Sequence, residues 1–185
     1  MLTDRFDDAL TLAARLHRSQ SRKGSGAPYI SHLMAVCALV LEYGGDEDQA
    51  IAGLLHDAVE DQGGAAMLAE IEAAFGPRVA RMVRECSDAE DQSRIPWRTR
   101  KEDYLTGLAT KSADALLVTT CDKLHNATAI LEDLRRHGPE VWDRFTAGRD
   151  GTLWYYDGLA RAITARDAAP APRLARTVAA ILDEA

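Results

Sequence analysis

Four side chains that can bind a divalent metal interrupt the apolar helical segments of this sequence. They are His32, the adjacent pair His56 and Asp57, and Asp122. Two imidazoles and two carboxylates form a mixed nitrogen and oxygen ligand set, which suits Mn²⁺, Fe²⁺, Zn²⁺ or Mg²⁺. Because the set contains no thiolate, manganese or iron is favoured over a structural zinc. Four protein ligands on an octahedral ion leave positions for water and a phosphate oxygen, as metal-assisted hydrolysis requires.

An acidic pair follows the adjacent histidine and aspartate in the stretch IAGLLHDAVEDQ, residues 51–62. If one helix continues through this stretch, His56 and Glu60 share one face, while Asp57 and Asp61 share the next. Such a cluster is costly to bury unless a cation or hydrogen bonds compensate its charge. The stretch therefore predicts a metal at the end of an apolar helix, with two further carboxylates one turn beyond it.

Each assignment also has a purely structural alternative. From the residues alone, Glu60 and Asp61 could form a solvated helix end, and Asp122 could form an interhelical salt bridge. The remaining histidines lack acidic neighbours of this kind and are expected not to bind a metal; they are His17, His125 and His137. The predicted metal site therefore depends on whether His32 and Asp122 meet the His56–Asp57 pair in space.

The segments that contain these side chains are all predicted to be helices. Apolar residues recur at helical spacing along nearly the whole chain, and no segment alternates as a strand would. Helix ends are marked by Gly63-Gly64, Gly76-Pro77 and Gly138-Pro139, and the polar residues 87–96 predict a surface loop. We expect an all-α protein of about ten helices that forms one domain over residues 1–185.

Charge and cysteine content limit the classes of function. A net charge of −7 argues against a general nucleic-acid-binding surface and fits a protein that handles a small ligand. The three cysteines, Cys37, Cys86 and Cys121, form no CxxC pair, and we expect free thiols in a reducing compartment. The sequence lacks both a signal pattern and an apolar stretch of about 18 residues. We therefore expect a cytoplasmic protein without a membrane or nucleic-acid partner.

Four segments, taken in order, resemble the HD-domain metal phosphohydrolase superfamily. The narrower resemblance is to the small alarmone hydrolases, which are stand-alone relatives of the (p)ppGpp-hydrolase domain of RelA/SpoT proteins. The segments are RKGSGAPYISH (22–32), LLHDAVED (54–61), FGPRVARMV (75–83) and CDKLHN (121–126). The HDxxED and DKLxN elements are the specific ones, whereas the third segment is weak by itself. The resemblance implies a helical bundle of the HD-domain type.

The resemblance also implies roles for individual residues. The metal ligands would be His32, His56, Asp57 and Asp122. Glu60 and Asp61 would form the acid/base pair that positions and activates the hydrolytic water. The basic pair Arg22 and Lys23 would hold the phosphates or stack against the base, and the nucleotide site beside the metal would be lined by Lys123 and Asn126.

Other basic and aromatic residues leave their roles open. Arg98, Arg100 and Lys101 either contact substrate phosphates or form an exposed helical face. Arg149 is predicted to bind substrate because it precedes Gly151 and the aromatic cluster Trp154-Tyr155-Tyr156. The aromatic cluster fits a hydrophobic core better than a platform for base stacking. Trp97 and Trp142 are assigned to packing.

The activity that the resemblance implies is metal-dependent hydrolysis of a nucleotide phosphate ester. The first expectation is the 3′-pyrophosphate of an alarmone such as (p)ppGpp or (p)ppApp, with one Mn²⁺ as cofactor and a role in the stringent response. The residues from Glu85 to Asp88 depart from the family pattern, which leaves the base specificity open. Two alternatives remain: a phosphatase acting on NADPH or nucleotide monophosphates, and a non-catalytic module that binds a nucleotide for regulation.

Overall fold

Helices make up almost all of the regular structure. The computed structural model describes residues 1–87 and 95–185. Within them it contains ten α-helices and one 3-10 helix, no β-strand, and one isolated β-bridge between Ser21 and Pro28. The predicted all-α class is confirmed, and the predicted number of about ten helices agrees. Most of the predicted surface loop at 87–96 lies outside the described residues.

The α-helices in chain order are α1 (Asp4–Leu16), α2 (Ile30–Glu42), α3 (Glu47–Leu55), α4 (Ala58–Gln62), α5 (Gly64–Phe75), α6 (Pro77–Cys86), α7 (Trp97–Gly107), α8 (Ala113–His137), α9 (Gly148–Thr164) and α10 (Ala171–Glu184). The 3-10 helix spans Gly138–Arg144, between α8 and α9. Among the described residues, none of these helices is both long enough and apolar enough to cross a bilayer.

Capping residues fix the starts of the helices that lead into the predicted metal site. At α3, the Asp46 carboxylate accepts from the backbone N–H of Gln49, whose side chain in turn accepts from the N–H of Asp46, forming a capping box. At α8, the Ser112 hydroxyl accepts from the N–H of Ala115. These caps satisfy amide groups that a helix would otherwise leave unpaired.

Two hydrophobic clusters form the core, and α8 belongs to both. The first cluster packs α1 to α6 against the beginning of α8, which contributes Ala115, Val118 and Cys121. The second packs α7, α9, α10 and the 3-10 helix against the rest of α8, including Leu124 and Ala127. The 25-residue helix therefore crosses the junction of the two clusters, and Asp122 lies at that junction.

A close approach between α2 and α3 brings the two candidate histidine ligands near each other. A Cβ atom at Gly53 of α3 would lie 3.3 Å from the Cα atom of Cys37 in α2, which is tighter than an ordinary contact. Glycine at this position lets the two backbones pack directly. His32 near the start of α2 and His56 after the end of α3 consequently face the same region.

The helix of residues 51–55 does not continue to Gln62, which corrects the geometry considered from the sequence. α3 ends at Leu55, His56 and Asp57 form a turn, and α4 begins at Ala58. The ψ angle of Asp57 is −3°, compared with about −42° in a regular α-helix. Neighbouring side chains on an unbroken helix point about 100° apart. At the turn, both side chains face one centre, with His56 Nε2 and Asp57 Oδ2 3.1 Å apart.

Candidate metal centre

Side chains from α2, the α3–α4 turn and α8 converge on one point. His32 Nε2 lies 3.3 Å from Asp122 Oδ1 and 3.7 Å from Asp57 Oδ2. His56 Nε2 lies 3.1 Å from Asp57 Oδ2 and 3.7 Å from Asp122 Oδ1. Ligand atoms that each lie about 2.1 Å from one ion are roughly 3.0–3.5 Å apart at octahedral or tetrahedral angles. The separations of 3.1 and 3.3 Å fall in this range, and those of 3.7 Å lie slightly above it. His32, His56 and Asp57 offer ligand atoms that all lie within 4.8 Å of one another, and Asp122 Oδ1 is within 3.7 Å of both histidines. The four predicted ligands therefore lie around one candidate ion site.

The ring of His56 is oriented for metal binding by its own backbone. Its Nδ1 atom donates a hydrogen bond to the carbonyl oxygen of Gly53 at 2.9 Å, which places the ring proton on Nδ1. In the neutral ring the lone pair is then on Nε2, and this buried atom has no hydrogen-bond partner among the described residues. An unsatisfied buried acceptor costs about 1–3 kcal/mol. A cation between the carboxylates would satisfy it, so the site fits a metal on structural grounds.

The ring of His32 is held by a second histidine. Its Nδ1 atom lies 2.8 Å from Nδ1 of His125, which projects from α8. Burial lowers the pKa of His32 below its usual value and lowers that of His125 to about 4. Both rings are therefore neutral at neutral pH, and a neutral imidazole is the form that binds a metal.

Hydrogen bonds also fix the two carboxylates. The hydroxyl group of Tyr29 donates to Asp57 Oδ2 at 2.6 Å. Asp122 accepts a hydrogen bond from Asn126 Nδ2 on Oδ1 at 2.6 Å, and its Oδ2 forms an ion pair with Lys123 Nζ at 2.8 Å. Such partners orient ligand oxygens and tune how strongly they bind a metal.

The electrostatics of the centre favour a cation. Burial by itself raises the pKa of a carboxyl group, but the proximity of His56 outweighs burial and lowers the pKa of Asp57 to about 2. Burial also acts on Asp122, whose pKa nevertheless falls well below its usual range because of Lys123 and the two histidines. For His56, burial opposes protonation, yet Asp57 and Asp122 raise its pKa well above the usual value. The two carboxylates therefore stabilise positive charge at this point, and a divalent metal would supply that charge.

A polar cavity of about 340 Å³ opens in front of this centre. Its lining includes His32, acidic side chains and basic side chains. The acidic lining residues are Asp57, Glu60 and Asp122, and the basic ones are Arg22, Lys23, Lys101 and Lys123. Because four cations line one small cavity beside a candidate metal site, the cavity is suited to a ligand with several negative charges.

A second cavity of about 260 Å³ adjoins the first one and has a different lining. Lys23 and Lys101 belong to the walls of both cavities. Much of the remaining lining is aromatic and consists of Trp97, Phe145, Tyr155 and Tyr156. The two cavities together offer a charged compartment and an aromatic compartment, which matches the two chemical parts of a nucleotide.

The loop before α2 is shaped so that Arg22 reaches the polar cavity. Within this loop, the N–H of Arg22 donates to the carbonyl oxygen of Ala27 at 2.8 Å. The Arg22 guanidinium donates to Asn126 Oδ1 at 2.9 Å, so two predicted substrate-binding residues contact each other. Gly24 has a φ of +95°, and a Cβ there would approach Arg144 Cδ to 2.8 Å. Glycine is therefore favoured by the φ of this turn, and a larger residue would also require Arg144 to shift.

The acidic pair that follows the turn is divided between two environments. Glu60 lines the polar cavity. Asp61 is not among the lining residues, and its Oδ2 accepts a hydrogen bond from Gln20 Nε2 at 2.7 Å. Gln20 is itself held, because its Oε1 lies 2.7 Å from His17 Nδ1 and accepts from Gln62 Nε2 at 2.9 Å. The two carboxylates thus differ in position, although they are neighbours in the chain.

The other basic residues singled out from the sequence differ in where they lie relative to the two cavities. Arg149 is the predicted substrate-binding residue that the structure does not bring to either cavity. Its guanidinium instead contacts Asp150 Oδ1 at 2.9 Å and the carbonyl oxygen of Ala185 at 3.1 Å, because α9 directs it away. Arg98 lies over the ring of Trp154, 3.2 Å from the centroid. Of the three basic residues left open on α7, Lys101 is the one that lines both cavities.

Some residues that contact the site were not predicted from the sequence. Tyr29 and His125 lie within segments that carry the family resemblance, yet neither was given a role. Helical spacing was the available signal, because Tyr29 precedes His32 by about one turn and His125 follows Asp122 by the same distance. Trp97, which had been assigned to packing, lines the aromatic cavity. No local pattern distinguishes this position from a core tryptophan.

A comparison with known proteins agrees with this geometry. A family model described as HD domain matches residues 9–153. Human guanosine-3′,5′-bis(diphosphate) 3′-pyrophosphohydrolase MESH1 is 38% identical over 138 residues, which are 73% of this chain and 72% of the human protein. The Drosophila melanogaster protein of the same name is 36% identical over 141 residues, which are 75% of this chain and 74% of that protein.

Longer proteins and solved structures are also similar to the chain. A probable guanosine-3′,5′-bis(diphosphate) 3′-pyrophosphohydrolase of Synechocystis sp. is 36% identical over 157 residues, which are 80% of this chain and 20% of that protein. A structure described as a metazoan ortholog of SpoT that hydrolyzes ppGpp matches with a TM-score of 0.78 and 28% identity, covering 96% of this chain and 95% of that one. A crystal structure from Listeria monocytogenes EGD-e has a TM-score of 0.71 at 29% identity, covering 80% of this chain and 96% of that chain.

Proposed function

The chain belongs to the HD domain family, and from this premise we propose that it hydrolyses the 3′-pyrophosphate of guanosine-3′,5′-bis(diphosphate). The observation that carries the proposal is an anionic four-residue centre facing a cavity lined by four cations. Relatives that share 36–38% of their residues with this chain are named for that reaction. The identity of the metal, the roles of individual residues and the place of action are part of the same proposal.

The metal ligands in this proposal are His32, His56, Asp57 and Asp122. A divalent metal held there supplies Lewis acidity, which acidifies a water molecule and offsets charge on the phosphoryl group. Mn²⁺ is the first candidate, because nitrogen and carboxylate ligands without a thiolate suit manganese or iron. The buried, unpartnered Nε2 of His56 supports this role.

Glu60 is proposed to take the proton from the attacking water. Among the described residues, it is the carboxylate beyond the ligand set that lines the polar cavity, and a general base must lie within reach of the proton that it takes. Asp61 is proposed to help orient the water. Its carboxylate is held by the hydrogen bond that Gln20 donates to it. The pair thus stays in the catalytic role that the resemblance implies, with Glu60 as the member nearer the reacting groups.

The basic side chains are proposed to neutralise the pyrophosphate. Lys23 and Lys101 stand where the two cavities meet, so they can contact phosphates in one while the nucleoside lies in the other. Arg22, Lys123 and Asn126 also line the polar cavity and can contribute to the same neutralisation. Fixed positive charges of this kind stabilise the charge that develops on phosphoryl oxygens in the transition state.

The remaining proposals concern the setting of the reaction. Since α8 belongs to both hydrophobic clusters, residues 1–185 are proposed to act as one HD-type domain. Cys37, Cys86 and Cys121 are free thiols, which supports action in the reducing cytoplasm. The proposed partner is a small purine nucleotide, in keeping with the size and charge of the cavities.

A product assay tests the proposal. The purified protein is incubated with ppGpp, ppApp and NADPH, first with Mn²⁺ and then with a chelator, and the released phosphate species are identified. The expected result is pyrophosphate from ppGpp, with loss of release in chelator. Orthophosphate from NADPH alone would replace the proposal with a phosphatase. Thermal stabilisation by a nucleotide without any product would replace it with a non-catalytic binding module.

A further inference from the structure

His125 lies directly behind the candidate ligand His32. The two Nδ1 atoms are 2.8 Å apart, and the ring centroids are 4.8 Å apart with the planes inclined by 41°. His125 follows Asp122 by one turn of α8, so it shares that face of the helix. It is not among the residues that line the polar cavity. His125 therefore contacts the site through His32 and not through the cavity.

A hydrogen bond between two imidazole nitrogens needs one proton, and either ring could supply it. If His32 donates, its proton is on Nδ1 and its lone pair is on Nε2, which faces Asp57 and Asp122. If His125 donates, the proton of a neutral His32 is on Nε2, and that nitrogen cannot bind a metal. The direction of this single hydrogen bond therefore decides whether His32 can be a ligand.

We propose that His125 is a positioning residue that accepts the hydrogen bond from His32 Nδ1–H and thereby holds the lone pair of Nε2 on the metal centre. The inference rests on the metal site of the proposed function. It adds a role for a histidine that sequence reasoning had set aside as a non-ligand.

The contrast with His56 shows why this role is specific. His56 Nδ1 donates to the carbonyl oxygen of Gly53, and a carbonyl can only accept, so the backbone alone determines its tautomer. The Nδ1 atom of His32 instead contacts the side chain of His125. A neutral imidazole can either donate or accept, so this contact does not by itself determine the tautomer of His32. One ligand is thus set by the main chain, and the other depends on a side chain that substitution can change.

Two variants of similar size separate a hydrogen-bonding role from a packing role. His125→Leu removes the acceptor, whereas His125→Asn provides an amide oxygen close to the former position of Nδ1. His137→Leu removes a histidine from the exposed end of α8 and is the matched control. Each protein is prepared without metal, and thermal unfolding establishes that it is folded.

The tautomer of His32 is measured in Zn²⁺-loaded protein labelled with ¹⁵N-histidine, from two-bond ¹H–¹⁵N correlations, because without a cation the Asp122 carboxylate would itself accept a proton from Nε2. We expect the proton on Nδ1 in the wild-type protein, in His125→Asn and in His137→Leu, and a smaller fraction of this metal-bound form in His125→Leu. The second measurement is Mn²⁺ affinity by calorimetry. Loss of a hydrogen-bond partner behind a ligand typically lowers metal affinity by about 10–100-fold, so this loss is expected in His125→Leu alone.

Three results would overturn the inference. The first is a Zn²⁺-loaded wild-type protein with the His32 proton on Nε2, which needs no variant and holds even if His125→Leu does not fold. The second is His125→Leu with unchanged tautomer and Mn²⁺ affinity. The third is equal impairment in His125→Asn and His125→Leu, which would indicate packing alone. None of these measurements uses a substrate, so a protein that binds Mn²⁺ as expected but hydrolyses no nucleotide would refute the proposed function and leave this inference standing.

Discussion

The two ends of the polar cavity are built in different ways. At the metal end, His32, His56 and Asp122 are 1%, 3% and 7% exposed; His125 contacts the ring of His32, the backbone holds the ring of His56, and Asn126 of the same helix donates to Asp122. At the open end, Lys23 and Glu60 are exposed, and Lys23 and Lys101 are long side chains with many rotatable bonds. The first end is already ordered, whereas the second must lose rotamer freedom when a ligand binds.

This difference predicts two kinds of response to substitution. A change at the buried end removes a ligand from a preformed set and leaves a buried charge or acceptor without its partner, so the effect is large. A change at the open end removes one of several cations that together neutralise the charge of the ligand, so the loss of activity is smaller. The following substitutions test this contrast, from the largest expected effect to the smallest.

Asp57→Ala is expected to have the largest effect, because it removes a ligand from the buried end. We expect Mn²⁺ affinity to fall by more than about 100-fold. This exceeds the loss that is typical when a residue that hydrogen-bonds to a metal ligand is removed. Activity should be lost with the metal. Elemental analysis of the purified protein and calorimetry measure the binding, and a variant that keeps full metal occupancy would remove Asp57 from the ligand set.

Glu60→Gln is expected to separate metal binding from turnover. The amide keeps the size of the side chain but cannot take a proton, and loss of a general base typically lowers kcat by about 10²–10⁴-fold. Mn²⁺ affinity should stay close to that of the wild-type protein, since Glu60 is outside the four-residue centre. Retained turnover would refute the role of Glu60, whereas loss of metal would move it into the ligand set.

Lys101→Ala tests the graded response at the open end. A hydrogen bond to a charged group is worth about 1.5–3 kcal/mol, so kcat/KM should fall by roughly 10–150-fold with metal affinity unchanged. Arg149→Ala is the matched control, because Arg149 contacts Asp150 and Ala185 and lines neither cavity. Steady-state kinetics should leave that control within about twofold of wild type. Equal effects of the two substitutions would contradict the division of the cavity into two ends.

Gln20→Leu is expected to have the smallest effect of the series on the site. It removes the hydrogen bond to Asp61 while keeping a side chain of similar volume. A typical hydrogen bond contributes about 0.5–1.5 kcal/mol, which corresponds to roughly a 2- to 12-fold loss of kcat. Asp61→Asn in the same background provides the control, because the two effects should not add if Gln20 acts through Asp61. Additive losses would show an independent role.

Local sequence patterns predicted much of the fold and of the site. Apolar spacing and Gly-Pro pairs indicated the helices, and the structure confirms an all-α protein. The segments around His32, His56 and Asp122 pointed to a ligand set, and these residues lie together in the structure. The helix prediction depends on short-range information, since residues three or four positions apart on a helix share a face. The expectation that the ligand residues meet came from the family resemblance, because these residues are far apart in the chain.

Helical spacing did not predict the turn at His56–Asp57. The pattern of residues 51–62 is compatible with one helix, and only the ψ angle of Asp57 and the start of α4 show that the helix breaks. Arg149 was predicted to bind substrate from its aromatic neighbours in the sequence, whereas in the structure it contacts Asp150 and the carbonyl oxygen of Ala185 and lines neither cavity. Neither feature follows from the spacing of neighbouring residues along the chain.

The amino-acid sequence by itself determined which side chains are available for the chemistry and which of them share a helical face. The tertiary structure alone decided which faces meet: Tyr29 with Asp57, His125 with His32, and Lys101 between a charged cavity and an aromatic one. The physical reason is that spacing within a helix follows from backbone geometry, whereas contacts between helices depend on how all the apolar faces pack together.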